Sequence, residues 1–195
     1  MLFRVRVDGI DRVPAVGPAI LAFNHVSVLD GPVLAIEIAV RRRRGVRFLV
    51  AAEVFGHRLY GPVLRGFGQI PIRRGEADLG ALGSAIEAVR RGALAAIAPE
   101  GRVGDAPDGA LQRIRSGCAR IALATGAPVV PVGIWGTQTR WPASGRLRAP
   151  LTRRAPLRLA FGPSLCAARD DDLESFGRRL AAALAEQVGR ARAAT

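Results

Sequence analysis

Seven short apolar runs constrain the fold of this chain of 195 residues more than any other feature. Each run is bounded by Gly, Pro or polar residues, which is typical of β-strands. The runs cover residues 2–7, 19–23, 46–51, 69–72, 93–98, 129–134 and 157–161. Most of them are separated by segments with helical periodicity. This alternation predicts an α/β domain in which helices flank a central sheet that is mostly parallel or mixed.

Three of the intervening segments repeat apolar residues at the spacing of one helix face. The apolar positions are Leu79, Leu82, Ile86 and Val89 in the first segment, Leu111, Ile114, Cys118 and Ile121 in the second, and Leu173, Phe176, Leu180, Leu184 and Val188 in the third. We expect an amphipathic helix in each, the last being a C-terminal helix over residues 170–192. Because 195 residues suffice for one substantial core and not for two ordinary domains, residues 1–195 are expected to form a single domain.

The formal net charge of +13 indicates a polyanionic partner, either nucleic acid, an anionic lipid surface or a phosphorylated substrate. Nucleic-acid binding also predicts basic residues interleaved with base-stacking aromatics. Aromatic residues make up only 5% of the chain, and no recognition-module signature occurs. We therefore expect an anionic membrane surface rather than nucleic acid. A non-enzymatic basic protein that binds nucleic acid or lipid is the alternative from a different functional class.

Membrane contact is expected to come from surface segments. No apolar run approaches the roughly 18 residues of a spanning helix, and the start MLFRVRVDGI lacks the apolar core of a signal peptide. The expected location is therefore cytoplasmic and peripheral, on the inner face of the cell membrane. Two basic segments are candidates for the contact: residues 41–44, and a loop over 138–155 with five arginines and Trp141 as an interfacial anchor. The alternative for each is a solvated surface segment.

A histidine and an aspartate follow the second apolar run, in the sequence AILAFNHVSVLDGP. His25 comes directly after the run and Asp30 lies near the expected start of a helix, so the two side chains can meet across one turn. The carboxylate would then accept the Nδ1 hydrogen and leave Nε2 to take a proton from a hydroxyl. Because the pair contains no nucleophile, the substrate's own alcohol would attack. The alternative is a histidine that packs at a strand end.

Two further clusters lie where apolar runs end. Arg73 and Arg74 follow the fourth run, and guanidinium groups at that point would bind a phosphate bidentately. Pro99, Glu100 and Gly101 follow the fifth run, where the Glu100 carboxylate would bind acceptor hydroxyls or orient a neighbouring arginine. The simpler interpretation of each cluster is an ordinary surface turn.

Between residues 18 and 137, these segments resemble, in chain order, the four signature blocks of the glycerolipid acyltransferases, the family that includes 1-acylglycerol-3-phosphate acyltransferase. Asn24, His25 and Asp30 match the first block. Residues 99–101 match the third block and residues 129–137 match the fourth. The resemblance implies that His25 and Asp30 are the catalytic pair. It also implies substrate binding by Asn24, Ser27, Arg74, Glu100, Gly101 and Arg102.

The resemblance further implies an acyltransferase of phospholipid biosynthesis. A fatty acyl group would pass from acyl-CoA or acyl-carrier protein to the hydroxyl of a lysophospholipid, with 1-acylglycerol-3-phosphate as the expected acceptor. No metal or other cofactor is expected. The third block departs from the family pattern, because Arg102 stands where threonine is usual and Val103 where arginine is usual. The same chemistry on a glycolipid, an amino-acid lipid or another hydroxylated acceptor is therefore the alternative.

Overall fold

Seven strands and five α-helices make up the part of the chain that the computed structural model describes, residues 3–73, 78–104, 111–143, 145, 146, 148 and 154–193. The strands are β1 (Phe3–Asp8), β2 (Ala19–Phe23), β3 (Val46–Ala51), β4 (Ile70–Ile72), β5 (Leu94–Ile97), β6 (Val129–Trp135) and β7 (Ala155–Phe161). The helices are α1 (Asp30–Arg42), α2 (Tyr60–Gly66), α3 (Leu79–Arg90), α4 (Gly117–Thr125) and α5 (Leu173–Ala193). Each strand agrees with its predicted run to within two residues at either end.

The strands form one mixed sheet in the order β1-β7-β6-β2-β5-β3-β4. All neighbours from β6 to β4 run parallel, whereas β7 pairs antiparallel with β6 and β1 pairs parallel with β7. The predicted α/β class with a mixed sheet is therefore confirmed. β2 lies between β5 and β6, and all five of its residues are buried. Its unbroken apolar sequence reflects burial on both faces of the sheet.

Helices cover both faces of the sheet. One cluster of buried side chains joins α1 to the face that carries Leu21 and Phe23. A second cluster joins α3, α4 and α5 to the face that carries Ile20 and Ala22. Because successive residues of a strand point to opposite faces, β2 contributes alternately to the two clusters. The sheet is thus the middle layer of three.

The predicted helices are confirmed at α3 and α5, but the prediction for the middle segment is wrong over its first half. Residues 111–116 lie ahead of α4 and are not helical. The backbone N–H of Gln112 donates to Glu100 Oε2 at 3.0 Å. The N–H of Arg115 donates to the carbonyl of Pro99 at 2.8 Å. In a helix, these N–H groups would donate to carbonyls four residues earlier. Here they donate to the turn after β5 instead.

α5 lies unusually close to β6. A β-carbon on Gly133 would come 2.1 Å from the carbonyl oxygen of Gln187 and 2.6 Å from the backbone nitrogen of Val188. These are backbone atoms, which cannot rotate away as a side chain can. Only glycine therefore allows the helix to approach the strand at this point.

The parallel strands bring their carboxyl ends to one edge of the sheet. His25 follows β2, Glu100 follows β5 and Thr137 follows β6. Since β5, β2 and β6 are neighbours, the loops that follow them meet at this edge. The candidate site lies there.

Candidate active site

His25 and Asp30 form a hydrogen-bonded pair after β2. His25 Nδ1 lies 2.9 Å from Asp30 Oδ2. Because a carboxylate accepts hydrogen bonds, this contact places the hydrogen of the neutral ring on Nδ1 and leaves Nε2 with a free lone pair. The His25 side chain is 15% exposed and lines a cavity, whereas Asp30 is fully buried. The pair has the arrangement that a general base requires.

Asp30 accepts hydrogen bonds from three donors besides the histidine. Its Oδ2 accepts the backbone N–H groups of Val26 and Ser27, each at 2.8 Å. Its Oδ1 accepts the hydroxyl of Thr137, which follows β6, at 2.5 Å. Asp30 is also the first residue of α1, where the helix dipole favours a negative charge. These contacts offset the cost of burying the carboxylate and fix its orientation toward the imidazole.

Asn24 and Ser27 flank the histidine, and both direct their polar atoms at the protein backbone. Asn24 Oδ1 accepts the N–H of Ile134 at 2.7 Å and its Nδ2 donates to the carbonyl of Ile134 at 3.0 Å. Ser27 Oγ donates to the carbonyl of Trp141 at 2.5 Å and accepts the N–H of Leu29 at 3.1 Å. Both residues are buried. These contacts hold the loop that carries the histidine, and a contact of either residue with substrate stays a prediction.

Glu100 binds the backbone of His25 rather than its ring. Glu100 Oε1 accepts the N–H of His25 at 2.7 Å, and Oε2 accepts the N–H of Gln112 at 3.0 Å. Burial raises the pKa of the Glu100 carboxyl above its ordinary value, and the two N–H donors offset part of that rise. Glu100 thus ties the turn after β5 to the loop after β2. Its predicted contact with acceptor hydroxyls stays a prediction.

A cavity of about 450 Å³ opens beside His25. Its apolar wall comes from strand ends and α3, through Phe23, Leu49, Ala51, Ile72, Leu82 and Ile97. Its polar lining is mainly basic and includes Arg73, Arg115 and Arg120. An apolar wall suits an acyl chain, and arginine guanidinium groups suit phosphate oxygens. The cavity therefore offers both environments next to the base.

Arg73, Arg115 and Arg120, the rim arginines among the described residues, differ in their surroundings. Arg73 Nε lies 3.6 Å from Asp78 Oδ2, so a carboxylate partly neutralises its charge. Arg115 and Arg120 are exposed around the start of α4, where unpaired helix N–H groups also favour an anion. Arg115 lies beside Gly101, since a β-carbon added to Gly101 would come 3.0 Å from Arg115 Nε. The rim at α4 is thus its more strongly basic part.

The other residues predicted to bind substrate lie in different settings. Gly101 lines the cavity and has a φ of 74°, a left-handed conformation that favours glycine. Arg102 is exposed, and its Nε donates to Gln112 Oε1 at 2.8 Å. Arg74 lies outside the described residues. Their roles in substrate binding stay predictions. Across the described ranges, no three His, Cys, Asp or Glu side chains are grouped so as to hold a metal ion.

The two basic segments expected at a membrane are partly engaged in internal contacts. Arg41 Nε donates to Glu37 Oε2 at 2.6 Å. The Arg44 guanidinium donates to three backbone carbonyls in the loops before β2 and β5. In the loop before β7, Arg140 is buried, and part of residues 144–153 lies outside the described residues. Within the described part of the chain, no helix combines the length and the hydrophobicity needed to cross a bilayer.

The sequence gives no role to Thr137 or Arg115, two residues that the structure brings to the site. A signal exists for Thr137, because it ends the segment that matches the fourth block and lies three residues after the strand-like run 129–134. Its contact with Asp30 depends on β6 lying next to β2, which sequence patterns do not reveal. The apolar periodicity of residues 111–121 predicts that Arg115 lies inside a helix, so nothing in the pattern marks it as part of the rim.

Comparison with known proteins finds relatives of a large part of this chain. The model of the family described as Acyltransferase matches residues 4–135. An uncharacterized protein of Mycobacterium leprae is 32% identical over 149 residues, which cover 72% of this chain and 38% of that protein. The chloroplastic 1-acyl-sn-glycerol-3-phosphate acyltransferase LPAT1 of Arabidopsis thaliana is 25% identical over 138 residues, which cover 69% of this chain and 37% of that protein. The chain therefore spans less than two fifths of the length of either relative.

A solved structure shares the fold. The crystal structure of the 1-acyl-sn-glycerophosphate acyltransferase of Thermotoga maritima matches with a TM-score of 0.77 over 98% of this chain and 73% of that chain. The two sequences are 23% identical, so this likeness concerns the fold. The family match, in contrast, includes β2, β5 and β6 together with His25 and Asp30. The chain belongs to the acyltransferase family.

Proposed function

We propose that this protein transfers a fatty acyl group from acyl-CoA or acyl-carrier protein to the hydroxyl of a lysophospholipid, 1-acylglycerol-3-phosphate, in phospholipid biosynthesis. The observation that carries the proposal is the setting of His25, which pairs with the buried Asp30 and faces a cavity with an apolar wall and an arginine rim. The names of the Arabidopsis and Thermotoga proteins support this choice of acceptor. A lysophospholipid presents the groups that this cavity suits, a hydroxyl, an acyl chain and a phosphate.

The reaction begins with proton transfer to His25. The acceptor's hydroxyl hydrogen-bonds Nε2, which takes its proton as the oxygen forms a bond to the thioester carbonyl carbon. Asp30 stabilises the imidazolium, and Thr137 holds the carboxylate in place. When the tetrahedral intermediate collapses, the C–S bond breaks and the imidazolium returns the proton to the departing sulfur. The products are an ester and a free thiol, and the base is regenerated.

The cavity positions the substrates for this step. The acyl chain lies against the apolar wall, and the acceptor's phosphate lies at the rim near Arg115 and Arg120. Arg74, next to Arg73 in the chain, is the residue that the family resemblance implies for the same phosphate. Holding phosphate and hydroxyl at a fixed separation makes the attack effectively unimolecular, which supplies much of the rate. A glycolipid or amino-acid lipid would keep the chemistry of His25 without needing the rim.

The test is acyl transfer in phosphatidylglycerol-containing vesicles, with lysophosphatidic acid as acceptor and either palmitoyl-CoA or palmitoyl-acyl-carrier protein as donor. Thiol release gives the rate, and mass spectrometry identifies the lipid product. We expect phosphatidic acid from the unaltered protein. His25→Ala is expected to lower kcat by about a thousandfold, in the range typical of a lost general base.

Asp11→Ala is the control, because Asp11 is exposed and does not line the cavity that contains His25. Its rate should equal that of the unaltered protein. A parallel panel contains a glycolipid and an amino-acid lipid in place of lysophosphatidic acid. Faster transfer to either would replace the proposed acceptor. Absence of product with both donors and every acceptor would refute the enzymatic proposal as a whole.

A further inference from the structure

The helix α2 carries large apolar side chains on its exposed side. Leu59, just before the helix, is 72% exposed, Val63 is 54% exposed and Phe67 is 73% exposed. Tyr60 is also exposed, at 58%. Grouped apolar side chains of this exposure mark a contact surface more often than a surface that faces only water.

The orientation of α2 explains this exposure. A β-carbon on Gly61 would come 2.2 Å from the carbonyl oxygen of Phe55, so the Gly61 face lies directly on the preceding turn, residues 52–56. Arg65, one helical turn later on that face, donates from Nη1 to the same carbonyl at 2.9 Å. Val63 lies about 200° around the helix from Gly61, at about 100° per residue. The helix thus turns Gly61 inward and Val63 outward.

The outward orientation is fixed at the start of the helix. His57 Nδ1 accepts the backbone N–H groups of Leu59 and Tyr60, at 3.2 and 3.4 Å. The His57 ring also packs on the Tyr60 ring, with centroids 4.5 Å apart. Together with the close approach at Gly61, these contacts prevent α2 from rolling its apolar face toward the core. The face is a stable feature of the surface.

The connection that carries this surface begins at the cavity that contains His25. α2 lies in the connection from β3 to β4, and the last residues of those strands, Ala51 and Ile72, both line the cavity. Leu79, which also lines the cavity, is 72% exposed. The segment that carries the apolar surface therefore starts at the edge of an opening that has an apolar interior.

We propose that this α2 surface, formed by Leu59, Tyr60, Val63 and Phe67, docks the protein on an anionic lipid bilayer. This inference rests on the proposed function, because a lipid acceptor has to reach the cavity from a bilayer. Charge favours this occupant: Arg58 is exposed next to Leu59 in the chain, and the chain carries a net charge of +13. Apolar side chains enter the headgroup and acyl boundary while nearby arginines bind anionic headgroups.

The proposal is tested by vesicle binding without substrate. The partition constant is measured by co-sedimentation with phosphatidylglycerol and phosphatidylcholine vesicles for the triple variant Leu59→Ser/Val63→Ser/Phe67→Ser. We expect it to fall by roughly a hundredfold, because three large apolar groups no longer enter the bilayer. Circular dichroism checks that the variant folds, as expected for substitutions at exposed positions.

The matched control is Val16→Ser/Ile36→Ser/Val40→Ser. These three side chains are 83%, 53% and 72% exposed, close to the values on α2, but lie elsewhere in the fold. The control should change partition less than about threefold. Equal partition for both variants, whether retained or lost, would overturn the proposal. Two results, each with unchanged partition, would assign α2 to a protein partner instead. One is a change of oligomeric state in size-exclusion chromatography. The other is a rate that the variant loses only with the carrier-protein donor.

Failure of docking and failure of the proposed reaction can be told apart. Partition is measured without acceptor or donor, so His25→Ala should bind vesicles as the unaltered protein does. If partition depends on α2 but no acceptor is acylated, docking stands and the reaction does not. If the unaltered protein acylates lysophosphatidic acid in vesicles while the α2 variant keeps both rate and partition, the reaction stands and docking does not.

Discussion

The site edge and the region around α2 are built in opposite ways. At the site edge, formed by the loops after β2, β5 and β6, polar side chains are buried and bonded: Asp30, Asn24 and Glu100 all direct their side chains at neighbouring backbone or side-chain groups. In the α2 region, residues 52–67, apolar side chains are exposed. A site that performs chemistry needs fixed distances, whereas a docking surface needs accessible apolar area. The difference predicts that substitutions at the edge lower kcat, while those in the α2 region lower binding to vesicles.

The largest effect on activity at the site edge is expected from Asp30→Asn. An amide at this position presents N–H groups where the carboxylate now accepts, so the imidazole loses its orientation and its tautomer. We expect kcat to fall by about ten thousandfold, as for other His–Asp pairs. The measurement is product formation with the donor and acceptor at saturation. Asp8→Asn, at an exposed aspartate, is the control and should leave kcat unchanged. Equal rates for Asp30→Asn and the unaltered protein would remove Asp30 from the mechanism.

Gly133→Ala probes the strand that supports the site edge. The new β-carbon would meet backbone atoms of α5, so the helix must move away from β6. We expect the free energy of unfolding to fall by about 3 kcal/mol, measured by chemical denaturation. Gly83→Ala is the control, since its β-carbon would meet nothing within 4 Å in α3. It should raise the free energy by about 0.5–1 kcal/mol through helix propensity. An unchanged value for Gly133→Ala would show that α5 yields at this contact.

Thr137→Val tests how far the site edge depends on one hydrogen bond. The substitution keeps the shape of the side chain but leaves Asp30 Oδ1 without the donor described above. We expect kcat to fall about tenfold, with KM nearly unchanged, because a buried acceptor loses its partner. Thr137→Ser should restore most of kcat. Equal loss in both variants would indicate a packing role rather than positioning of Asp30.

The smallest effect is expected from Phe67→Ala in the α2 region. Because Phe67 is 73% exposed, its removal should change the free energy of unfolding by less than about 0.5 kcal/mol. Phe176→Ala, at a fully buried phenylalanine, should cost about 3–5 kcal/mol. Chemical denaturation measures both. A large loss for Phe67→Ala would show that α2 supports the fold, which contradicts its assignment as a docking surface.

The sequence predicts the sheet well, because apolar runs bounded by Gly and Pro coincide with strands. The central strands β2, β5 and β6 are buried on both faces. It also predicts the contact of His25 with Asp30, since the two lie within one turn of each other. Contacts between segments that are distant in the chain are harder to predict from the sequence. Thr137 reaches Asp30 only because β6 lies next to β2, and strand order leaves no periodic signal in a single sequence.

Two local errors have physical causes. The apolar spacing of residues 111–121 is helical. However, Glu100 and Pro99 accept backbone N–H groups of Gln112 and Arg115, so residues 111–116 do not form a helix. The second error is that the sequence pattern predicts no helix over residues 60–66, where α2 lies. α2 contains glycine and proline, which are poor helix formers, and its apolar face does not pack on the core. Periodicity indicates that apolar residues share a side of the backbone. It does not indicate what that side contacts.

Asp30 is the hydrogen-bonded partner of His25 and is also the residue at which α1 begins. The state of the active site is therefore coupled to the integrity of the first turn of α1. If that turn opens, the imidazole loses its partner even while the sheet remains intact. Loss of activity would then be an early sign of damage, appearing before the protein loses its overall structure. The proposed activity would thus report the folding of one helical turn.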